Sequence, residues 1–225
     1  MPTKPSEKVI QLEHLTETDP PAGQQPIYII NNIDPENKAA SREGLRSITL
    51  YGDVNEVMAA EVIQALLYFD HTRKQTIETK DDELIEIDRP IKVYVSTHGG
   101  VVSDMFSILD VMGDIRHRCD IETIGLGKVM SAGVLLLAAG TKGKRRIGRN
   151  CRVMLHSVIG SQYGSFANLE NEMQETKALQ ELFFEYLCNH TKLTKAKIKK
   201  LLIPNVDIYL SAEEAIEYGI ADEIF

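Results

Sequence analysis

The stretch from Ile121 to Ala139 constrains the fold of this chain more than any other. It begins with a β-type run that includes Thr123 and Ile124, and it ends with six apolar residues in succession at 134–139 (VLLLAA). A helix that is apolar on every side must be buried on every side, so this segment predicts a helix inside the core. The residues between strand and helix, 127–133, are predicted to form a turn.

Strand-like and helix-like segments alternate along the rest of the folded part. Strands are predicted at residues 47–52, 91–96, 152–156 and 207–210, and the main helices at 54–69, 101–115, 166–190 and 212–218. The sequence contains no internal repeat. This alternation predicts an α/β fold with a mainly parallel sheet.

Length and local composition predict one domain with an N-terminal extension. A chain of 225 residues can bury a single sizeable core. Residues 1–46 are polar and rich in proline, with one short strand-like run at 27–30, and they are predicted to form an arm or extension. Residues 47–225 form the predicted domain, and the charged stretch 72–89 is predicted to leave it as a hairpin.

Charge and cysteine usage exclude several functional classes. The net charge of −8 argues against a nucleic-acid-binding body, and the basic run 142–146 (KGKRR) is predicted to be a solvated turn. Cys119, Cys151 and Cys188 lie far apart without metal-ligand spacing, so they are predicted to be reduced core thiols. The sequence shows no signal peptide or membrane span, which predicts a soluble protein in a reducing compartment.

Ser131 is the first candidate for chemistry, although serine at a helix start is also an ordinary N-cap. A nucleophilic serine needs a base and a group that orients the base, and His156 and Asp207 lie at strand ends where they could supply both. His98, beside the Gly99-Gly100 pair, is a competing base. The residue pattern alone leaves these alternatives open.

Four segments of the sequence resemble the proteolytic subunit of the Clp protease (ClpP), in the order found in that family. They are VYVSTHGGVVSDMFSILDVM, GKVMSAGVLLLAAGTKGKRR, NCRVMLH and DIYLSAEEAIEYGIADEI. The family's serine falls on Ser131, its histidine on His156 and its aspartate on Asp207. The likeness extends from about Ser47 to Phe225.

The resemblance implies a crotonase-type α/β fold and a serine endopeptidase that degrades unfolded polypeptides inside a ring-shaped chamber. Ser131 would be the nucleophile, His156 the base and Asp207 its orienter, with the amides of Gly100 and Ala132 as the oxyanion hole. Heptameric rings would stack into a tetradecamer through the protruding helix after Gly160. An edge strand that includes Gly160, Ser161 and Gln162 would bind extended substrate.

The same resemblance implies partners and a compartment. An AAA+ ATPase would deliver substrates and would be the component that uses ATP, so this chain is expected to need no cofactor and no metal. Neither nucleic acid nor membrane is an expected partner. The expected compartment is the cytoplasm, which would be the host's for a viral chain, and an organelle's stroma or matrix is the alternative.

The sequence departs from the family pattern at three places near the predicted site. Thr97-His98 precedes the glycine pair where a single proline is usual, Lys128-Val129-Met130 replaces smaller residues before the serine, and Asn205-Val206 replaces an acidic residue and an arginine. The chain is therefore expected to be a divergent member. Two alternatives stay open, a non-catalytic ring subunit and a crotonase-fold enzyme that acts on acyl-CoA thioesters.

Overall fold

The computed structural model describes residues 45–79, 83–202 and 206–225. These ranges contain the strands β1 (Ser47–Tyr51), β2 (Lys74–Glu78), β3 (Leu84–Asp88), β4 (Ile91–Thr97), β5 (Ile121–Met130), β6 (Arg145–Ile147), β7 (Arg152–Leu155), β8 (Ile208–Leu210) and β9 (Glu223–Ile224). They also contain the helices α1 (Glu56–His71), α2 (Val102–Ile115), α3 (Ala132–Ala138), α4 (Phe166–His190), α5 (Lys195–Leu202) and α6 (Ala212–Glu217). The predicted strand at 27–30 lies outside the described residues, and the division at residue 46 stays a prediction.

The main sheet is parallel apart from one edge strand. Its order is β1-β4-β5-β6-β9, and β7 also pairs with β5 while β8 pairs antiparallel with β7. With helices between most of the parallel strands, this is the α/β fold with a mainly parallel sheet that the alternation predicted.

Strand β5 changes its partner halfway along. Residues 123–125 pair with β6, whereas residues 128–130 pair with β7. Gly127 lies between the two sets with a φ of 60°, a conformation that is unfavourable for residues with a side chain. The predicted turn at 127–133 is therefore wrong over its first half, because Gly127 bends the strand without ending it.

Helix α3 occupies the centre of the core, as its composition predicted. All seven of its residues are buried, and it packs against β4, β5 and α2. Gly133 faces Thr97 on β4 so closely that a Cβ on this glycine would lie 2.5 Å from the Thr97 methyl carbon. This close packing holds the start of α3 against the end of β4.

The predicted excursion after α1 is a hairpin. Strands β2 and β3 pair antiparallel with each other and form a separate two-stranded sheet. Arg73 holds the base of the hairpin through an ion pair with Asp88 (Nε to Oδ1, 3.1 Å), and Arg89 donates to the Thr72 carbonyl at 3.3 Å.

The basic run at 142–146 is not simply a solvated turn. Arg145 lies on β6 with its side chain turned inward, and only 3% of the residue is exposed. Its guanidinium donates to both carboxylate oxygens of Asp222 at 2.8 and 2.5 Å, and to the His190 carbonyl at 2.6 Å. The prediction was wrong for Arg145 because a three-residue strand is too short to show its alternation in the sequence.

A half-buried polar cluster joins the end of α4 to the end of α2. The ring of His190 stacks on Tyr186 with centroids 3.9 Å apart, its Nδ1 contacts the Tyr186 carbonyl at 3.0 Å, and its Nε2 contacts Arg116 at 3.1 Å. Burial, together with the positive charges of Arg116 and Arg145, lowers the pKa of His190. The neutral imidazole therefore belongs to the folded state.

The cysteines agree with their predicted role, since Cys119 and Cys151 are buried free thiols and Cys188 is a half-buried one. Burial raises the pKa of Cys151 to about 11. In the described ranges, none of the helices combines the length and the apolar composition that crossing a membrane requires.

Replacing Arg145 by Met should lower the free energy of unfolding by about 2–4 kcal/mol, because it leaves the Asp222 carboxylate without its charged partner. The expected loss is smaller than for a fully buried pair, since Asp222 is partly exposed. The control is Arg146→Met on the same strand, which removes an exposed pair with Glu223 and should change stability by less than about 1 kcal/mol. Urea unfolding at matched protein concentration measures both. Equal effects would contradict the structural role of Arg145.

Acid should weaken the fold through His190. The unfolded chain takes up a proton on this histidine below its ordinary pKa of 6.5, while the folded state resists protonation, so stability falls as the pH drops from 6.5 towards the lowered pKa. His190→Phe keeps a ring against Tyr186 but does not titrate, and its unfolding free energy should vary less between pH 7.5 and pH 5.5. The exposed His117→Gln should keep the parent's pH dependence, and a parent-like slope in His190→Phe would refute the assignment.

Candidate active site

Ser131 lies at the junction of β5 and α3 in a strained backbone conformation. Its φ of 53° and ψ of −120° make it the only residue other than glycine with positive φ among residues 45–79, 83–202 and 206–225. Its N–H donates to the Met154 carbonyl at 2.8 Å, which holds the strained turn against β7. Strain of this kind is concentrated at functional sites.

The Ser131 side chain does not cap α3. The structure shows no side-chain hydrogen bond from this residue to the first turn, so the ordinary capping alternative is wrong. The hydroxyl Oγ lies instead 2.7 Å from Nε2 of His156. When the hydroxyl donates to a neutral imidazole, this is the geometry of a nucleophile and its base.

The parallel register of β5 and β7 explains why these two side chains meet. Met130 is paired with Met154, so Ser131 and His156 both emerge just beyond the carboxyl ends of neighbouring strands. Ligands and reacting groups of α/β sheets are found at this edge. His98, the competing base, is exposed and lines the same cleft, but His156 is the histidine that contacts Ser131.

The Gly99-Gly100 pair forms the opposite wall of the Ser131 turn. Gly99 has a φ of 105°, and a Cβ on it would lie 2.5 Å from Cβ and 3.0 Å from Oγ of Ser131. A Cβ on Gly100 would lie 2.1 Å from the Val54 carbonyl oxygen. Both positions therefore need glycine to let β4 end against the serine.

Hydrogen bonds hold this glycine pair in place. Val54 donates to the Gly99 carbonyl and accepts from Val101, both at 2.8 Å, and the Thr97 hydroxyl accepts from the Gly99 N–H at 2.9 Å. The chain is thus fixed on both sides of Gly100.

The amides of Gly100 and Ala132 are free to bind an anion. Within the described part of the chain, neither amide donates a hydrogen bond to a protein acceptor. Ala132 is the first residue of α3, where backbone N–H groups have no intrahelical acceptor and carry the positive end of the helix dipole. Two donors on either side of a serine hydroxyl can stabilise an oxyanion that forms there.

Asp207 is near His156 in register but does not contact it. Strand β8 pairs with β7 through Ile208 and Leu155, so the next position places Asp207 opposite His156. Asp207 is exposed, and no hydrogen bond joins it to His156 in this structure, where both residues are described. The structure therefore assembles two of the three predicted catalytic side chains.

A cleft of about 260 Å³ opens beside the serine and histidine. Its apolar lining comes from α2 and from the segment after β7. The lining residues are His98, Gly100, Val102, Ser131, His156, Ser157, Val158 and Ile159.

The structure does not contain the edge strand that was predicted at Gly160, Ser161 and Gln162. Residues 156–165 form no strand, and these three residues are exposed. The Gln162 side chain donates to the Thr176 hydroxyl at 3.3 Å on α4. The segment lacks the alternating pattern that would give it one apolar face, and Val158 uses its N–H to bind a side chain of α4.

Val102, Val158 and Ile159 line the cleft but were not predicted from the sequence. Val158 and Ile159 come two and three residues after His156, the predicted base. Their apolar character so close to the end of a strand is a signal that could have identified them.

Among the residues the structure describes, no group of three or more metal-ligating side chains comes together.

One comparison with known proteins identifies a family. A sequence model described as Clp protease matches residues 38–225, which is most of the chain. The match includes every residue of the site.

Gly99→Ala should disable Ser131, because the new Cβ would lie 2.5 Å from the Ser131 Cβ and would displace this side chain. A displacement of about 1 Å can cost about a hundredfold in reactivity, so labelling of Ser131 by a fluorophosphonate should slow by about that factor. Gly113→Ala is the control, since nothing lies within 4 Å of a Cβ there. If Gly99→Ala keeps its fold and labels within about twofold of the parent, the close approach of Gly99 has no part in placing the serine.

Proposed function

The chain belongs to the Clp protease family, and from this premise we propose that it is a serine endopeptidase with Ser131 as nucleophile and His156 as general base. The 2.7 Å contact between Ser131 Oγ and His156 Nε2 carries the proposal. The strained Ser131 backbone and the two free amides beside it support the same chemistry.

The proposed reaction is acyl transfer in two stages. Ser131 Oγ bonds to the peptide carbonyl carbon while its proton passes to Nε2 of His156, and the resulting oxyanion accepts hydrogen bonds from the Gly100 and Ala132 amides. The C–N bond then breaks as His156 returns the proton to the leaving amine. Water, deprotonated by His156, hydrolyses the acyl-serine and releases the second product.

Asp207 is the proposed orienter of His156. A neutral imidazole that accepts at Nε2 carries its proton on Nδ1, and a carboxylate there stabilises both this tautomer and the imidazolium that forms. The register opposite His156 supports Asp207 for the role. The role requires a contact with His156 that is absent from this structure, in which both residues are described.

The lining of the cleft supports a proposal about which peptide bonds are cut. Val102, Val158 and Ile159 give it an apolar wall next to the nucleophile, so we propose cleavage beside large apolar side chains. Peptide bonds of that kind are buried in folded proteins, which supports unfolded polypeptide as the substrate. The exposed backbone at 160–162 is the proposed contact for extended substrate.

Assembly into rings is the second part of the proposal. Helix α4 has 25 residues, but its buried ones are Phe183, Phe184 and Leu187, near its end. Its first part exposes Phe166 and Met173, at 79% and 56%, and such apolar side chains on a projecting helix favour contact with another subunit. We propose heptameric rings stacked through α4 as a tetradecamer, an AAA+ ATPase as the partner that uses ATP, and no cofactor in this chain.

The cytoplasm is the proposed compartment. Free thiols at all three cysteines support a reducing environment. A stroma or matrix would offer the same environment.

Ser131→Ala and His156→Ala should each lower the rate of peptide cleavage by at least about a thousandfold, since each removes a group that acts only with the other. The double variant should be no slower than the slower single variant. The control is Ser107→Ala, an exposed serine on α2 whose hydroxyl donates to a backbone carbonyl. Steady-state cleavage of a fluorogenic peptide measures the four variants and the parent.

Native mass spectrometry with and without a fluorophosphonate completes the test. A labelled assembly of a multiple of seven subunits supports the whole proposal. An unlabelled ring would identify a non-catalytic subunit, and an unlabelled protein that binds CoA would identify a thioester enzyme of the same fold. Cleavage by Ser131→Ala at the parent's rate would refute the catalytic assignment.

A further inference from the structure

The segment after β7 is held to α4 by the side chain of Gln180. The backbone N–H of Val158 donates to the Gln180 Oε1 at 2.7 Å, across 22 residues of sequence. Because an N–H group can only donate, this contact also fixes the orientation of the amide, with its oxygen towards Val158.

Without such a contact this segment would have little support. Strand β7 ends at Leu155, and residues 156–165 make no ladder with another strand. Two further anchors are the Ser157 hydroxyl, which donates to the Leu202 carbonyl at 3.1 Å, and the Gln162 side chain, which donates to the Thr176 hydroxyl at 3.3 Å. Contacts with α4 and α5 thus hold this segment in place, as pairing with a neighbouring strand does within the sheet.

The anchored residues form the apolar wall of the cleft. Val158 and Ile159 line it beside His156, and Ile159 is 78% exposed, so its place depends on the backbone that Gln180 holds. His156 is fixed differently, by its attachment to β7 and its contact with Ser131. Moving the wall therefore leaves the nucleophile and base in place.

Gln180 is poorly explained as a purely stabilising residue. Its Nε2 is buried and has no hydrogen-bond partner within the described residues. A buried amide that satisfies only one of its two ends costs free energy, so stability alone does not account for this residue.

We infer that Gln180 is a positioning residue that sets the affinity for large apolar side chains next to the cleaved bond, by holding Val158 and Ile159 as the wall of the cleft. The inference rests on the proposed function, since it assigns this wall to substrate binding. The role of Gln180 goes beyond the proposed function, because it places the determinant of affinity on α4, outside the cleft.

The test compares Gln180→Met with Gln174→Met. Methionine has nearly the same length as glutamine but accepts hydrogen bonds only weakly, so Gln180→Met removes the anchor while filling the space. Gln174 is exposed on the same helix, and its replacement controls for effects on α4 or on assembly. Each protein is assayed as the full chain with two peptides that differ only in Leu or Ala before the cleaved bond.

For Gln180→Met we expect KM for the leucine peptide to rise about tenfold, with kcat within about twofold of the parent. KM for the alanine peptide should change less than about twofold, because a methyl group does not reach the wall. Gln180→Glu, whose carboxylate oxygen can accept the same N–H, should restore part of the affinity for the leucine peptide. Gln174→Met should match the parent with both peptides.

Labelling of Ser131 by a fluorophosphonate distinguishes a failure of the proposed function from a failure of the role assigned to Gln180. A parent that neither labels nor cleaves refutes the proposed function. A parent that labels and cleaves, with Gln180→Met unchanged in KM for both peptides, refutes the role of Gln180 alone. Equal losses on the leucine and alanine peptides, or a loss confined to kcat, also refute it, since they indicate general damage or displacement of His156.

Discussion

The change of partner along β5 is the constraint on which the site depends. The ladder with β6 ends at the pair Gly125 and Ile147, before the strand reaches Ser131. The bend at Gly127 carries residues 128–130 to β7 instead, and the register of that second ladder brings His156 within 2.7 Å of Ser131. A single residue that tolerates positive φ thus decides which side chain meets the serine.

The buried helix α3 lets the chain hold Ser131 in its strained form. Residues in sparsely populated backbone regions cost of order 1–3 kcal/mol, and they persist only where their surroundings determine them. Here the surroundings are a helix with every residue buried, a glycine packed against the serine Cβ, and a hydrogen bond from the Ser131 N–H to Met154. The same helix start leaves the Ala132 amide free, so strain and anion binding have one structural origin.

Features carried by a long, regular pattern could be predicted from the sequence, and features carried by single tertiary contacts could not. The α/β alternation, the buried α3 and the hairpin after α1 all follow from local periodicity and turn chemistry. Arg145 could not be placed, because its burial depends on Asp222, 77 residues away. The contact made by Gln180 could not be predicted for the same reason, because nothing in the sequence of its helix indicates that its side-chain oxygen binds the backbone after His156.

The position of Asp207 shows how far the fold alone assembles the proposed triad. Ser131 and His156 extend from two parallel strands of the central sheet, whereas Asp207 precedes a three-residue strand at its edge. The β7–β8 ladder ends at the pair Leu155 and Ile208, one residue before His156 and one residue after Asp207. The sheet therefore fixes the proposed nucleophile and base, and it leaves the proposed third member without a contact to the base.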